Sequence, residues 1–561
     1  MRKVPQYYQL LPHKIQKILL YRFLFATLLC SWLDYQMLMI FLAINLFEVM
    51  SPLVSVTEIL RWTLFSVYSS VLMLLIRVST IGYGLVLCHI HYNNPQCFEN
   101  NMLRITYEFP IRLVLIASIL SITMTSSWLF ASFVDLNNGN YLLGGSWYYL
   151  MTFGCFCGIS YYQKSHGRCL RRFPLPIVHL DMKECLLQIW RNQLKTSAKA
   201  AIVPTLLFAS MYWPTMGFLD TTELGGVTTG CSVIITQPKR LFQAWLLATL
   251  ILVKLHIVPK LYGLILQRQL SLICDLRHQH KDTDINLFNL IWERFQYFFC
   301  IMRMRPMPGD IQSHKFSIPV AMALDTEQIY GFQLLAAREF YAAMSGSSCL
   351  DLFKMEFGQG IRNWRELRDI ILEMLDAFLA RMDSSLAPRI TACHLLKNNK
   401  PKYPRIRLLA KSTPPPQRFC VPSTWKGSWF RLPIVSRYYS HLYDLDPLVN
   451  LNHVLLCGEP LVWILQGFVS ICVRLLKEDK FVYIENDLGR ILVYLLRVEE
   501  KLNEAKEMKV RGKLCSSHDR FMKAINRCLY KMLFTCSPYI NYIFDDDMLR
   551  NTFRKRMELI P

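Results

Sequence analysis

Three ionisable residues lie inside long apolar runs of this chain: Asp34, Arg77 and Lys254. A charge at the centre of a membrane helix costs roughly 2.5–3.5 kcal/mol on insertion scales, so it persists where it is paired or used. An acid and two bases admit two chemistries. One is a proton or ion relay in a multi-pass transporter or channel of the endoplasmic reticulum or nuclear envelope. The other is a structural charge cluster that pins three helices together. Each residue sits about eleven or twelve positions from the predicted cytosolic end of its helix, so at about 1.5 Å rise per residue all three share one depth. A transporter usually adds further intramembrane polar groups and broken helices in matching halves. The structural reading is therefore preferred, with transport through Asp34, Arg77 and Lys254 kept as the alternative.

Other reactive side chains form no recognisable site. His89 and His91, and again His278 and His280, are HxH pairs near apolar boundaries, and two imidazoles do not close a metal site without further ligands. The acidic run Asp545–Asp547 reads as a solvated turn. The 18 cysteines contain no CxxC pair and read as small apolar packers. There is no GxxxxGK[ST], GxSxG, HExxH or strand-borne GxGxxG. A lipid-modifying enzyme would need a histidine or carboxylate cluster at one membrane face, and none can be assembled. The expectation is a protein without catalytic residues, cofactor or metal.

The elements that must position the charges follow from hydropathy. At 561 residues and 53% hydrophobic, the chain is too long for one compact core and too apolar for an ordinary soluble protein. Six segments meet the roughly twenty-residue length that a bilayer demands, at about 23–47, 62–88, 109–134, 141–162, 198–219 and 241–266. The first is too long for a signal peptide and lacks a small-residue cleavage site, so it reads as a retained anchor. Arg2, Lys3, Lys14, Lys17 and Arg22 precede it, and the loop after the fourth segment carries Lys164, Arg168, Arg171, Arg172, Lys183, Arg191 and Lys195. The loops after the first, third and fifth are poor in cations, with Arg61, none, and the juxtamembrane pair Lys239 and Arg240. The positive-inside rule then predicts both termini on the cytosolic side. Cys231 becomes the one cysteine in a luminal loop, without a partner for a luminal disulfide. Gly154 and Gly158 form a GxxxG that favours close helix packing, and Pro204 and Pro214 should bend the fifth helix.

The predicted class is all-α: a polytopic domain of about six transmembrane helices followed by a helical cytosolic domain. The boundaries are a tail at 1–22, the membrane domain at 23–266, a helical region at 267–397, a Pro-rich linker at 398–443 and a C-terminal helical domain at 444–561. Asn363 and Glu366 resemble a capping box ahead of Trp364, Leu367, Ile371, Met374, Phe378 and Met382 at helical spacing. Similar stripes run through Phe332, Leu335, Ala336 and Phe340, through Leu488, Leu492, Leu495 and Leu502, and through Phe521, Ile525, Cys528, Leu529 and Met532. The run 460–473 has the length of a buried soluble helix and reads as core.

The formal charge of +22 fits nucleic acid, anionic lipid or the positive-inside rule alike. Within the linker, Trp425, Lys426, Trp429, Phe430, Arg431, Arg437, Tyr438 and Tyr439 interleave aromatic and basic side chains. That mixture suits a membrane surface or partner docking, and a linker packing its aromatics on the helical domain is an equal reading. Single-stranded nucleic-acid stacking fits less well.

The order of these features resembles the transmembrane nucleoporin family founded on yeast nuclear division cycle protein one. The resemblance is most specific from Gly154-Cys-Phe-Cys-Gly158 to Arg172-Phe-Pro-Leu-Pro-Ile177, where Phe173, Pro174, Pro176 and Ile177 match an aromatic-Pro-x-Pro-Ile loop motif. Arg338–Leu375 around Asn363-Trp364, and Leu476-Lys-Glu-Asp479 to Glu499-Glu500-Lys501-Leu502, are similar to the family's cytosolic domain. The resemblance spans nearly the whole chain. It departs near 400–435, where vertebrate-like members carry a long Ser/Pro-rich insertion and this chain has a short linker. The resemblance implies a non-enzymatic membrane anchor of the nuclear pore complex that supports pore assembly. It also implies soluble partners, among them the WD-repeat protein Aladin and inner-ring nucleoporins, with other membrane nucleoporins as further candidates. No direct nucleic-acid contact is implied. Fungal members also anchor the spindle pole body.

Overall fold

A computed structural model of the chain describes residues 6–46, 52–98, 100–134, 145–167, 173, 182–216, 238–268, 270, 272–273, 318–326, 329–345, 359–398, 448–477, 484–507, 514–544 and 547–558. The described residues fall into two compact units, the first from 6–92 and 109–268, the second from 93–108, 270–273 and 318–558.

The first unit holds α1 (Gln6–Leu46), α2 (Pro52–Leu60) running into a π-helical turn (Arg61–Phe65), α3 (Val67–Tyr92), most of α4 (Asn101–Val134), α5 (Gly145–Ser165), α6 (Met182–Met216) and α7 (Pro238–Leu266). Helix α7 is predominantly apolar with no single polar face, which suits the interior of a bundle. Helices α1, α3, α5 and α6 all pack on it. Its most apolar stretch is 72% buried, against 39–44% for those of α1, α3 and α4, so α7 is the centre of the bundle. The outer helices are apolar outside as well as inside. Leu74, Val78, Leu113, Val203 and Leu206 are all exposed, a surface that water would penalise and lipid would not. Helix α6 runs unbroken through Pro204 and Pro214.

Among the described residues, five helices are long and apolar enough to cross a membrane: Ile15–Ile44, Val67–Tyr92, Asn101–Phe133, Leu241–Leu266 and Glu459–Lys477. Four match the expected first, second, third and sixth spans. The expected fourth and fifth are helical, as α5 and α6, but fall outside this group. Helix α5 is diluted by Gly, Ser, Thr and Tyr, and the first half of α6 carries Lys183, Glu184, Arg191, Lys195 and Lys199.

The second unit holds a two-residue parallel bridge between β1 (Leu272–Ile273) and β2 (Ile318–Pro319), then α8 (Val320–Leu324), α9 (Tyr330–Ser345), α10 (Gln359–Asn398), α11 (Val449–Cys457), α12 (Glu459–Lys477), α13 (Glu485–Glu507), α14 (Ser516–Cys536), α15 (Ile540–Ile543) and α16 (Asp547–Glu558). Helices on both sides of 399–447 share one core, because α9 packs on α12 and α10 on α11 and α13. Helix α12, the fifth apolar helix above, covers the run expected as core. It lies between α9 and α14 with 67% of its apolar stretch buried. Trp364 stacks on Phe468 with centroids 5.3 Å apart, and Phe378 stacks on Phe521 at 5.1 Å. The capping-box expectation at Asn363 fails, since α10 already begins at Gln359.

Candidate functional site

Helix α1 carries Asp34 and the central helix α7 carries Lys254 into the same layer of the first unit. Lys254 Nζ lies 2.6 Å from Asp34 Oδ1, and the two residues are 3% and 5% exposed. Arg77 of α3 takes a different contact: its guanidinium lies over the Tyr35 ring, 4.8 Å from the centroid, while its Nε has no hydrogen-bond partner among the described residues. Asp34 Oδ2 is likewise buried without a hydrogen bond. The adjoining space, lined by Asp34, Lys254, Ser126 and apolar side chains including Met37, Met73 and Ile251, amounts to ≈ 20 Å³. That is room for about one water and no larger ligand. The arrangement can hold three helices by opposite charge and a cation–π contact.

A second polar cluster, not anticipated from the sequence, joins the ends of α1, α3, α5 and α7. Arg22 Nη1 donates to the carbonyl of Leu266 at 2.9 Å, and the Thr27 and Tyr262 hydroxyls are 3.0 Å apart. Tyr161 donates to the Leu255 carbonyl at 2.7 Å, and Tyr83 Oη and His166 Nε2 share a hydrogen bond at 3.1 Å. Tyr262 fits because of Gly84, where any Cβ would come within 2.8 Å of the Tyr262 ring. The available signal was a glycine amid Tyr and His near helix ends, which carries no periodicity of its own.

Phe173 of the loop motif is seated at this end. Its ring packs on His91 at 5.0 Å and against Gly263, whose absent side chain leaves the ring its place, while its carbonyl accepts from Gln267 Nε2 at 3.2 Å. His91 is thus a buried packing residue while His89 on the same helix is exposed, so the two imidazoles do not converge. Gly154 and Gly158 both face α4: a Cβ at Gly154 would meet Ser127 Cβ at 2.8 Å and one at Gly158 would meet Thr123 Oγ1 at 2.7 Å. Pro174, Pro176, Ile177, Cys231, His278, His280, Asp545 and the whole of Trp425, Lys426, Trp429, Phe430, Arg431, Arg437, Tyr438 and Tyr439 lie outside the described residues.

In the second unit, the Trp364 indole donates to Asp487 Oδ2 at 3.0 Å while Arg368 Nη1 pairs with Asp487 Oδ1 at 2.6 Å. Burial alone would lower the Arg368 pKa, but the hydrogen bonds it donates to Asp487 and Asp369 hold it above the ordinary arginine value. Tyr494 donates to Asp376 at 2.7 Å, and the Asn452 side chain caps Cys515 N at 2.9 Å. These contacts lock helices together. Among the described residues no cluster of three His, Cys, Asp or Glu is placed to hold a metal.

No family model matches the chain. Two curated proteins do. The chain is 21% identical to the protein named Nucleoporin Ndc1 from Drosophila melanogaster over 591 aligned residues, which cover 95% of each. It is also 21% identical to Nucleoporin Ndc1 from Drosophila pseudoobscura pseudoobscura, over 94% of the chain and 95% of that protein. Along nearly its whole length, therefore, the chain is similar to the proteins named Nucleoporin Ndc1, in line with its motif resemblance to the transmembrane nucleoporins.

Proposed function

We propose that this protein is a non-enzymatic membrane scaffold that anchors the nuclear pore complex to the nuclear envelope and supports pore assembly by recruiting soluble nucleoporins. The observation that carries the reading is similarity to Nucleoporin Ndc1 that runs through the membrane half and the helical half alike, covering 95% of both chains. A fragmentary match would support only a shared membrane segment. The apolar bundle supports anchoring, and the helical unit, knitted by charged and aromatic contacts, supports a rigid platform.

In this reading both termini and the helical unit face the cytosol and the pore, and α5 and α6 complete six spans although their composition is less apolar. Helix α12 serves as a core helix. The Asp34–Lys254 pair with Arg77 acts as an internal brace rather than an ion path. The transport reading draws nothing from the relatives, and the space beside the pair has room for about one water. Partners are the Aladin-like WD-repeat protein and inner-ring nucleoporins, with the basic and aromatic segment from Trp425 to Tyr439 as one docking element. A tagged full-length protein should give a punctate nuclear rim and co-purify with nucleoporins. A diffuse reticular pattern without nucleoporins in the eluate would overturn the assignment.

A further inference from the structure

Helix α14 buries Phe521, Ile525, Cys528, Leu529, Met532 and Cys536 along one face. On the opposite face, residues 523, 527, 530, 531 and 534 recur at three- and four-residue steps and so form one stripe. They are Lys523, Arg527, Tyr530, Lys531 and Phe534, all exposed. Phe534 is 73% exposed, and its ring stacks with that of Tyr530, centroids 6.3 Å apart and planes 12° from parallel. Within the described residues none of the three cations makes an ion pair, whereas Arg520 one turn earlier is tied to Glu459 at 2.5 Å. The acid on this side, Asp519, sits at the N-terminal end of the helix, ahead of the three cations and the aromatic pair.

We infer that this stripe docks on the anionic phospholipid headgroups of a bilayer. Three observations choose that occupant. The charge is of one sign from Lys523 to Lys531, and it complements phosphate and serine headgroups. The aromatic pair shares the stripe with the cations, the combination that rests at the boundary between headgroups and acyl chains. The stripe is a convex helix face, which fits a broad surface, while a bound peptide helix calls for a groove. The same chain supplies the apolar helices of the first unit, so a bilayer is always at high effective concentration. The inference rests on membrane anchoring alone and not on residence at the nuclear pore.

Full-length protein carrying p-benzoylphenylalanine in place of Phe534 is reconstituted into vesicles of phosphatidylcholine, with or without about 30% phosphatidylserine. Irradiation and mass spectrometry then read which molecule is joined to residue 534. Each cation near an anionic surface adds roughly a fivefold gain in affinity. Lipid adducts should accordingly rise about tenfold or more with phosphatidylserine, and fall back in about 0.5 M salt or with K523E/R527E/K531E. Adducts that ignore lipid charge, adducts only to protein, or no adducts overturn the inference. The triple variant should keep the thermal unfolding midpoint of the parent, because its three positions are exposed. A nuclear-rim location leaves these outcomes unchanged, so failure here and failure of the scaffold reading are separable.

Discussion

Within the first unit a charge pair survives because each partner cancels the other's burial cost. Asp34 and Lys254 are both nearly inaccessible, so removing one leaves an uncompensated charge, an effect of about 3–5 kcal/mol. Lys254→Met and Asp34→Leu should each sharply reduce accumulation and lower the unfolding midpoint in detergent, and the double variant should recover most of the loss. If the double variant loses the sum of the two singles, the residues are uncoupled. Arg77→Met should cost less, since it forfeits a contact with Tyr35 and strands no carboxylate. Outside the membrane-spanning segments, burial pushes the thiols of Cys528 and Cys536 up to about 12. The thiolate is the reactive form, so at about pH 8 neither should react with iodoacetamide until the protein is unfolded. Alkylation mapped by mass spectrometry checks this, and labelling of folded protein at Cys528 would refute the packing of α14.

Helices meet where a side chain is missing. At Gly467 of α12 a Cβ would come within 2.8 Å of the Phe340 ring of α9, so Gly467→Leu must part the two helices. Such overpacking costs about 1–3 kcal/mol, and thermal unfolding should fall by several degrees while exposed Lys523→Ala leaves it unchanged. A neutral outcome at Gly467 would mean that α9 and α12 do not pack this closely. The stripes through Trp364, Phe378, Leu488, Phe521 and Met532 were legible because a helix imposes a 3.6-residue period on whatever it buries. The start of α10 was misread because a capping box is a local pattern, and the chain continued the helix upstream to Gln359. Asp34 and Lys254 were conspicuous in the sequence through their cost in an apolar run. The Tyr83, Tyr161, His166 and Tyr262 cluster was not, since its members lie on three helices and each alone resembles a boundary aromatic. Phe173 was visible as part of a loop motif, but its seat against Gly263 and His91 exists only once α3 and α7 are side by side.

Over the whole molecule, composition separates an apolar half from a helical half more firmly than it counts spans. Length and apolarity select α12, which packs between α9 and α14, and pass over α5 and α6, which flank the central helix. We propose that the cations choose between the arrangements. The end of α5, the segment after it and the first half of α6 carry Lys164, Arg168, Arg171, Arg172, Lys183, Arg191 and Lys195, a density that the positive-inside rule would place on the cytosolic side. That placement requires α5 and α6 to cross. Acceptor sites for N-glycosylation inserted one at a time separate the alternatives, because only luminal segments are modified. With six spans, a site within 217–237 is glycosylated, while sites within 168–181 and near the C-terminus are not. If α5 and α6 did not cross, the 168–181 site would be modified as well. If α12 crossed, the C-terminal site would be modified. We expect modification at 217–237 alone, which would set the seven cations, the helical unit and both chain ends on one side of the membrane, where a scaffold that recruits soluble partners needs them.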